Sequence, residues 1–192
     1  MSDSFSAPVD HVESPDSLAV CVSSLRSGYG PKEVLHGIDL NVSENQFYGL
    51  IGVNGAGKTS LLRILANETK ADLGDFSFGH QVNCGYYAQE HDNLNTDATL
   101  LENIRREVPA GVSLTETQLR ALLGMFGLSG DKVNQKSGTL SGGEKTKLAL
   151  AMLMVGRNNL LLLDEPTNNL DPASREAVAN ALSGWKGAII FV

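Results

Sequence analysis

Apolar and polar residues follow two different periods along this chain, and the change between them divides it into segments. Over residues 18–42 and 74–87, short apolar runs alternate with polar residues and are separated by turn-forming residues, as is typical of strands. Over residues 98–128 the period becomes helical, with Leu119, Leu122, Leu123 and Phe126 on one face. Runs at 160–163 and 188–192 are continuously apolar, which is typical of buried parallel strands. Strands and helices in this order predict an α/β fold.

The early strand pattern consists of paired runs with turn residues between them. Runs at 18–22 and 38–42 flank a turn that contains Gly28, Gly30 and Pro31, and further strands are expected at 74–79 and 82–87.

Residues 1–17 are instead rich in Ser, Asp and Pro and poor in apolar groups. They predict a disordered leader.

Residues 52–59 read GVNGAGKT and match the phosphate-binding pattern G-x-x-x-x-G-K-[ST]. An apolar run at 49–51 predicts a buried strand before it, and residues 59–65 predict a helix after it. The glycines turn backbone N–H groups toward phosphate, and the helix N-terminus adds partial positive charge. Lys58 is expected on the β- and γ-phosphates and Thr59 on Mg²⁺. The alternative is an ordinary glycine-rich turn. Nucleotide-binding candidates here are Gly52, Asn54, Gly55, Ala56, Gly57, Lys58, Thr59 and Ser60.

Asp164 and Glu165 directly follow the aliphatic run at 160–163. Ligands gather at the carboxyl ends of parallel strands, and two adjacent carboxylates there are costly unless they serve a metal or a reaction. Asp164 suits Mg²⁺ through a water, and Glu165 suits orienting or deprotonating an attacking water. The alternative is a solvated Asp-Glu turn.

Two residues near the ends of strands are weaker candidates. Tyr29 lies in the first turn, where it could stack on adenine or pack on the sheet. Gln89 follows the strand at 82–87, and its amide could contact both a Mg²⁺-bound water and phosphate. Spacing alone favours a surface residue over this role for Gln89.

Three sequences of the capping-box type predict helix starts: Thr99 with Glu102, Ser113 with Glu116, and Ser141 with Glu144. The third also contains Gly142 and Gly143, which leave backbone N–H groups uncovered at a helix N-terminus and could form a second anion site. Local sequence leaves both interpretations of this third segment open. A further helix is predicted from Asp171 and Pro172 to Gly184.

Composition limits the possible functions. The chain has 192 residues, 42% of them hydrophobic, so it can bury one sizeable core. Its net charge is −7, of which Asp3, Asp10, Glu13 and Asp16 contribute −4, so the rest of the chain is only mildly acidic. No basic stripe is concentrated in it, which disfavours direct nucleic-acid binding by this chain. No run is long enough to span a bilayer. Cys21 and Cys84 lack metal-ligand spacing. We expect a cytoplasmic protein without a membrane anchor of its own.

Together these motifs resemble the ATP-binding cassette (ABC) ATPases, through residues 52–59, a glutamine at a strand end, the sequence LSGGE at 140–144 and the strand at 160–165. The resemblance covers 18–192 and implies a P-loop NTPase core with an antiparallel β subdomain and a helical subdomain at about 92–140. It implies ATP and Mg²⁺ as ligands, Tyr29 as the adenine-stacking aromatic and Gln89 as a Mg²⁺-sensing, catalytic glutamine. Ser141, Gly142 and Gly143 would contact the γ-phosphate held by a partner cassette, with Asp171 at the contact between the two domains.

The sequence EPTNNLD at 165–171 is similar to the soluble F-type subgroup, which acts on ribosomes, and the chain looks most like the second of that subgroup's two cassettes. The resemblance therefore implies a second cassette and possibly the ribosome as partners. In the family a histidine follows the last strand, and here it would fall beyond Val192. We therefore expect a C-terminally incomplete cassette with impaired hydrolysis. The alternatives are a cassette subunit of a membrane transporter and an ATP-binding fragment that does not hydrolyse.

Overall fold

The computed structural model describes residues 18–30, 32–88, 94–168 and 170–192. Two β-sheets and five α-helices make up the fold of this part of the chain, and the expected leader at 1–17 lies outside it. The strands are β1 Leu18–Tyr29, β2 Lys32–Ser43, β3 Phe47–Gly49, β4 Leu73–Phe78, β5 Cys84–Tyr87, β6 Leu160–Leu163 and β7 Ala188–Phe191. The helices are α1 Lys58–Leu65, α2 Leu100–Arg106, α3 Glu116–Met125, α4 Gly142–Val155 and α5 Pro172–Ser183, with 3₁₀ turns at Gly130–Asn134 and Ser137–Thr139.

The first sheet is antiparallel, in the order β2-β1-β4. β1 and β2 form the predicted hairpin, and Tyr29 pairs with Lys32 at its closed end. Both strands extend well beyond the runs from which they were predicted, and several register shifts interrupt their pairing. Such irregularities bend a strand and increase its twist. The sheet therefore packs its apolar residues onto α1 and one face of the second sheet.

The second sheet is parallel, in the order β3-β7-β6-β5. β6 is an interior strand and all four of its leucines are buried. Leu160 and Leu162 join the hydrophobic cluster that contains α1 and the antiparallel sheet. Leu161 and Leu163 join the other cluster, which contains residues of α2 to α5. Successive side chains of a strand point to opposite faces, so a strand covered on both faces is aliphatic throughout.

The strand predicted at 49–51 ahead of the phosphate loop is wrong in its position. β3 spans Phe47–Gly49 and ends where its partner β7 ends, with Gly49 opposite Phe191. Leu50 N donates to Phe191 O at 2.8 Å, and after this the chain leaves the sheet. Ile51 is fully exposed, with a relative accessibility of 100%. The prediction failed because Ile51 is apolar but lies outside the strand, so the apolar run in the sequence continues past the last paired residue, Gly49.

The helix starts agree with the predicted capping boxes in two cases of three. Thr99 caps α2 with Glu102, and Ser141 caps α4 with Glu144. The predicted box of Ser113 with Glu116 is wrong, because α3 is capped by Thr115, whose box partner is Gln118. Two overlapping Ser/Thr-x-x-Glu/Gln sequences occur there, and the second satisfies the helix.

The last helix begins and ends as predicted. Asp171 accepts a hydrogen bond from Ser174 N at 3.0 Å, Pro172 occupies the first turn of α5, and Gly184 follows its end. The fold is thus an α/β core in which an antiparallel sheet and a group of helices pack on opposite faces of a parallel sheet. Among the described residues, no helix is both long and apolar enough to cross a membrane.

Candidate functional site

A pocket of about 330 Å³ lies above the carboxyl end of the parallel sheet. Residues 54–60, from the phosphate loop and the first turn of α1, line this pocket together with Glu165 and Val192. Tyr29, Lys32 and Val34 line it from the β1–β2 hairpin. The structure therefore brings together most of the nucleotide-binding candidates and Glu165 around one cavity.

The phosphate loop is built so that its backbone approaches the pocket. Gly57 caps α1 with φ of 85°, a conformation that favours glycine. A Cβ added there would lie 2.6 Å from Leu35 Cδ2 and 2.9 Å from Val34 Cγ1, so only glycine lets the loop pack this closely on β2. Lys58 Nζ donates to the carbonyls of Gly52 at 2.7 Å and Val53 at 3.3 Å, which holds its ammonium group over the loop.

Thr59 and Asp164 form the second part of the site. Thr59 Oγ1 donates to Asp164 Oδ1 at 3.1 Å. Asp164 is buried, and this desolvation raises the pKa of its carboxyl group, while the hydrogen bond from Thr59 acts in the opposite direction. A hydroxyl and a carboxylate next to a phosphate cradle are oxygen ligands of the kind that suit Mg²⁺. The residues present therefore fit the Mg²⁺ that the motifs imply.

Glu165 is held in an uncommon conformation at the edge of the pocket. Its φ is 51°, in the left-handed region that non-glycine residues rarely adopt. Asn168 Nδ2 donates to Glu165 Oε2, and Asn168 N donates to Glu165 O at 3.3 Å, so a tight turn closes over Pro166 and Thr167. Strained backbone of this kind persists where the surrounding structure supports it, and it is often found at functional sites.

The hairpin residues show what sequence reasoning missed. Tyr29 is 66% exposed, and its hydroxyl lies 3.2 Å from Ser60 Oγ of the phosphate loop. Lys32 and Val34 were not candidates, yet they line the same pocket. The turn predicted around residues 28–31 was the sequence signal that could have identified Lys32, since a residue across a hairpin turn from Tyr29 lies next to the same ligand. Val34 is two residues further along the same strand and therefore shares a face with Lys32.

The LSGGE segment lies outside this pocket. Ser141 caps α4, and Gly142 and Gly143 open the helix, with no neighbouring atom within 4 Å of a Cβ added at Gly142. Tyr87 Oη donates to Thr146 Oγ1 at 3.1 Å, and Thr146 Oγ1 donates to Gly142 O at 3.2 Å. A hydrogen-bonded path thus joins the end of β5 to the first turn of α4.

Glu144 ties the same helix start to the neighbouring 3₁₀ turn. Its carboxylate accepts from Ser141 N at 2.9 Å and forms an ion pair with Lys132. The hydrogen bond from Lys132, followed by that from the Ser141 backbone, lowers the pKa of Glu144 to about 2. The capping box was predictable from the sequence because it is local, whereas the ion pair with Lys132 was not, because it joins residues twelve positions apart.

Gln89 lies outside the described residues, and its assignment stays a prediction.

Asp171 is engaged as a helix cap, because both of its carboxylate oxygens accept from Ser174, and these bonds lower the pKa of its carboxyl group. Its predicted place at a contact between domains also stays a prediction.

A family profile described as "ABC transporter" matches residues 35–168, which include the phosphate loop, the LSGGE segment and the Asp164–Glu165 pair. The chain belongs to the ABC transporter family. It is therefore an ABC ATP-binding domain, and the resemblance inferred from its motifs is confirmed.

The relatives point to a subgroup of this family. The chain is 38% identical to the "Probable ATP-binding protein YheS" of Escherichia coli K12 over 98% of its own length and 29% of that protein. It is 38% identical to a "Probable ATP-binding cassette sub-family F member 3 homolog" of Encephalitozoon cuniculi, covering 85% of this chain and 28% of that one. It is also 34% identical to the "Energy-dependent translational throttle protein EttA" of E. coli K12, covering 89% and 31%. The chain thus spans less than a third of the length of these relatives.

A solved structure supports the fold. A "Putative ABC transporter (ATP-binding protein)" from Pyrococcus furiosus superimposes with a TM-score of 0.78 over 90% of each chain, at 21% identity. The predicted fold class, a P-loop core of the ABC type with an added antiparallel sheet and helices, is confirmed.

The Glu144 ion pair predicts a pH-dependent contribution to stability. Because the pKa of Glu144 in the folded state is about 2, below its usual 4.5, its ionised carboxylate stabilises the fold above about pH 4.5, and this contribution is lost as the pH falls toward about 2. Glu144→Gln keeps a capping-box residue and removes the ion pair. We expect it to lower the free energy of unfolding by about 1 kcal/mol at neutral pH.

Urea unfolding at a series of pH values checks this prediction. The difference between wild type and Glu144→Gln should stay constant from about pH 7 to 5 and shrink below about pH 4. Glu176→Gln, at an exposed position of α5, serves as the control and should change stability little. A difference that persists undiminished in acid would contradict the assigned role of the ion pair.

Proposed function

We propose that this cassette binds ATP with Mg²⁺ in the pocket above the parallel sheet and hydrolyses it. The observation that carries the proposal is that Lys58, Thr59 and Glu165 line one cavity of about 330 Å³. Asp164 lies directly behind this lining, where it accepts a hydrogen bond from Thr59. In this proposal residues 52–60 hold the phosphates, and Tyr29 stacks on adenine beside Lys32 and Val34. Thr59, Asp164 and Gln89 hold Mg²⁺, which would neutralise charge on the β- and γ-phosphates.

Glu165 is the residue proposed to act on water. A carboxylate at the pocket edge can orient a water molecule or accept a proton from it as the water attacks the γ-phosphorus. In-line attack forms the new P–O bond as the bond to the β-phosphate oxygen breaks, and ADP and inorganic phosphate leave. Gln89 is proposed to help position this water, as the family resemblance implies.

We propose further that a second cassette completes the site. Ser141, Gly142 and Gly143 lie at the N-terminus of α4 and away from this chain's own pocket. A helix N-terminus with uncovered backbone N–H groups suits a phosphate. Opposed to a facing cassette, this segment would contact the γ-phosphate bound there, so that ATP binding closes the pair and hydrolysis opens it.

The cellular partner proposed is the ribosome, in a soluble F-type factor. Support comes from the sub-family F relative and from EttA, whose name describes a translational role. A factor of this kind would act in the cytoplasm. The expectation that hydrolysis is impaired in the 192-residue chain stays a prediction, and a low absolute turnover of the wild-type chain in the measurements below would agree with it.

Lys58→Ala tests the binding part of the proposal. Charge-assisted hydrogen bonds are worth roughly 1.5–3 kcal/mol, so removing the ammonium group should weaken ATP binding at least about tenfold. Isothermal calorimetry with Mg·ATP measures this directly. Lys70→Ala, which removes an exposed lysine outside the pocket, is the matched control. Equal ATP affinity in wild type and Lys58→Ala would remove Lys58 from the site.

Glu165→Gln tests the chemical step. The amide fills nearly the same volume but cannot accept a proton, so ATP affinity should be kept while turnover falls by about a hundredfold or more. Binding by calorimetry and phosphate release are measured on the same preparation. Unchanged turnover would show that Glu165 is not the catalytic carboxylate.

Cell fractionation tests the proposed partner. If the protein acts on ribosomes, it should sediment with them in the presence of ATP, and Glu165→Gln should increase the bound fraction because the ATP-bound pair persists. The alternative function, a cassette that drives a membrane transporter, predicts instead recovery with the membrane fraction. Sedimentation with membranes and not with ribosomes would contradict the F-type proposal while leaving ATP hydrolysis intact.

A further inference from the structure

We propose that Asn168 is a positioning residue that orients the Glu165 carboxylate toward the nucleotide pocket. The inference rests on the proposed role of Glu165 in hydrolysis. It adds a residue outside the phosphate loop and the LSGGE segment whose side chain serves the reaction through Glu165.

The central observation is a contact between two side chains. Asn168 Nδ2 donates to Glu165 Oε2. A hydrogen bond to an ionised carboxylate is stronger than one between neutral groups. Glu165 lines the pocket, whereas Asn168 does not. The amide therefore contacts the pocket's carboxylate from a residue that is not part of the pocket lining.

The backbone presets this contact. Glu165 O accepts from Asn168 N at 3.3 Å, so the two residues are the first and fourth of a tight turn. Pro166 occupies the second position, where its restricted φ favours such a turn, and it is buried. The Asn168 side chain thus starts from a backbone position that lies close to the Glu165 carboxylate.

The end of the turn is anchored in the core. Leu170 N donates to Thr167 O at 3.2 Å, and the Leu170 side chain is buried in the cluster that contains α4 and α5. Arg175 Nε donates to Leu170 O at 3.0 Å. The hydrogen bond to Thr167 and the burial of Leu170 thus tie the turn that carries Asn168 to the core.

A neutral amide suits this task better than other groups. A free glutamate side chain samples several rotamers, and fixing it before reaction removes part of the entropic cost of reaching the reactive geometry. One N–H donor occupies only one of about four lone-pair sites on a carboxylate, so acceptor capacity for water is kept. The amide also adds no charge beside Asp164 and Glu165.

The alternative explanation for Asn168 is that it only stabilises the turn. Asn and Asp are both favoured turn residues, so Asn168→Asp should preserve a purely structural role. The same substitution removes the amide donor and places a negative charge against Glu165, which should abolish a positioning role. The two explanations therefore predict opposite results for one nearly isosteric change.

The first experiment compares Asn168→Ala and Asn168→Asp with wild type. We expect kcat for ATP hydrolysis to fall on the order of tenfold in Asn168→Ala, and at least as far in Asn168→Asp, with ATP affinity unchanged by calorimetry. Asn180→Ala, which removes an exposed amide from α5, is the matched control and should leave kcat unchanged. Wild-type kcat in Asn168→Asp would overturn the proposal.

A second measurement needs no turnover. The side-chain amide of Asn168, assigned by its loss from the ¹H–¹⁵N spectrum of Asn168→Asp, should show one downfield, slowly exchanging proton. Glu165→Ala should remove both features. Identical Asn168 amide signals in wild type and Glu165→Ala, with both proteins folded by circular dichroism, would overturn the contact itself.

Including Glu165→Gln in the same assays separates the two hypotheses. If Glu165→Gln keeps turnover, or if the wild-type chain shows none, the proposed hydrolytic role fails for this chain and the amide spectrum still decides whether Asn168 holds Glu165. If Glu165→Gln loses turnover and Asn168→Asp does not, the function stands and the positioning role of Asn168 is wrong.

Discussion

The hydrogen bond from Thr59 Oγ1 to Asp164 Oδ1 joins two residues 105 positions apart, and the architecture of the pocket depends on the packing that makes it possible. Thr59 lies in the first turn of α1, and Asp164 follows β6 directly. Leu61, Leu62 and Leu65 of α1 share a buried cluster with Leu160 and Leu162 of β6. Because the helix packs on this strand, the start of one and the end of the other meet at the same edge of the sheet, where ligands gather in α/β folds.

Features encoded by local chemistry could be predicted from the sequence. β6 was recognisable because a strand covered on both faces has no polar side. The boundaries of α5 were recognisable from Asp171, Pro172 and Gly184, each of which has a conformational reason to stand at a helix end. The phosphate loop, Asp164 and Glu165 were recognisable as candidates because their spacing matches what phosphate and metal chemistry need.

Features decided by tertiary contacts could not be predicted in this way. β3 ends where β7 ends, and no local signal excludes Ile51 from the strand. α3 begins after Thr115, although the sequence offers two overlapping capping boxes between which local chemistry does not decide. The path from Tyr87 through Thr146 to Gly142 joins residues up to 59 positions apart. Likewise, no local signal indicated that the Asn168 amide contacts Glu165, because the direction of this side chain depends on how the turn folds.

Two features of the site are energetically unfavourable for the folded protein, the burial of Asp164 and the backbone conformation of Glu165, and the hydrophobic packing around them offsets both. Burial raises the pKa of Asp164, with the neighbouring charge of Glu165 adding to the effect, so its ionised form is disfavoured. Glu165 adopts a strained φ of 51°. Both costs fall at the end of β6, the strand with a fully buried run of leucines between two hydrophobic clusters. A divalent cation with nucleotide, as proposed here, would favour the ionised form of Asp164, so that ligand binding and stability of this edge of the sheet would be linked. The apolar core on both faces of β6 holds Asp164 and Glu165 at the end of the strand, and a bound cation would supply the positive charge that stabilises these two carboxylates.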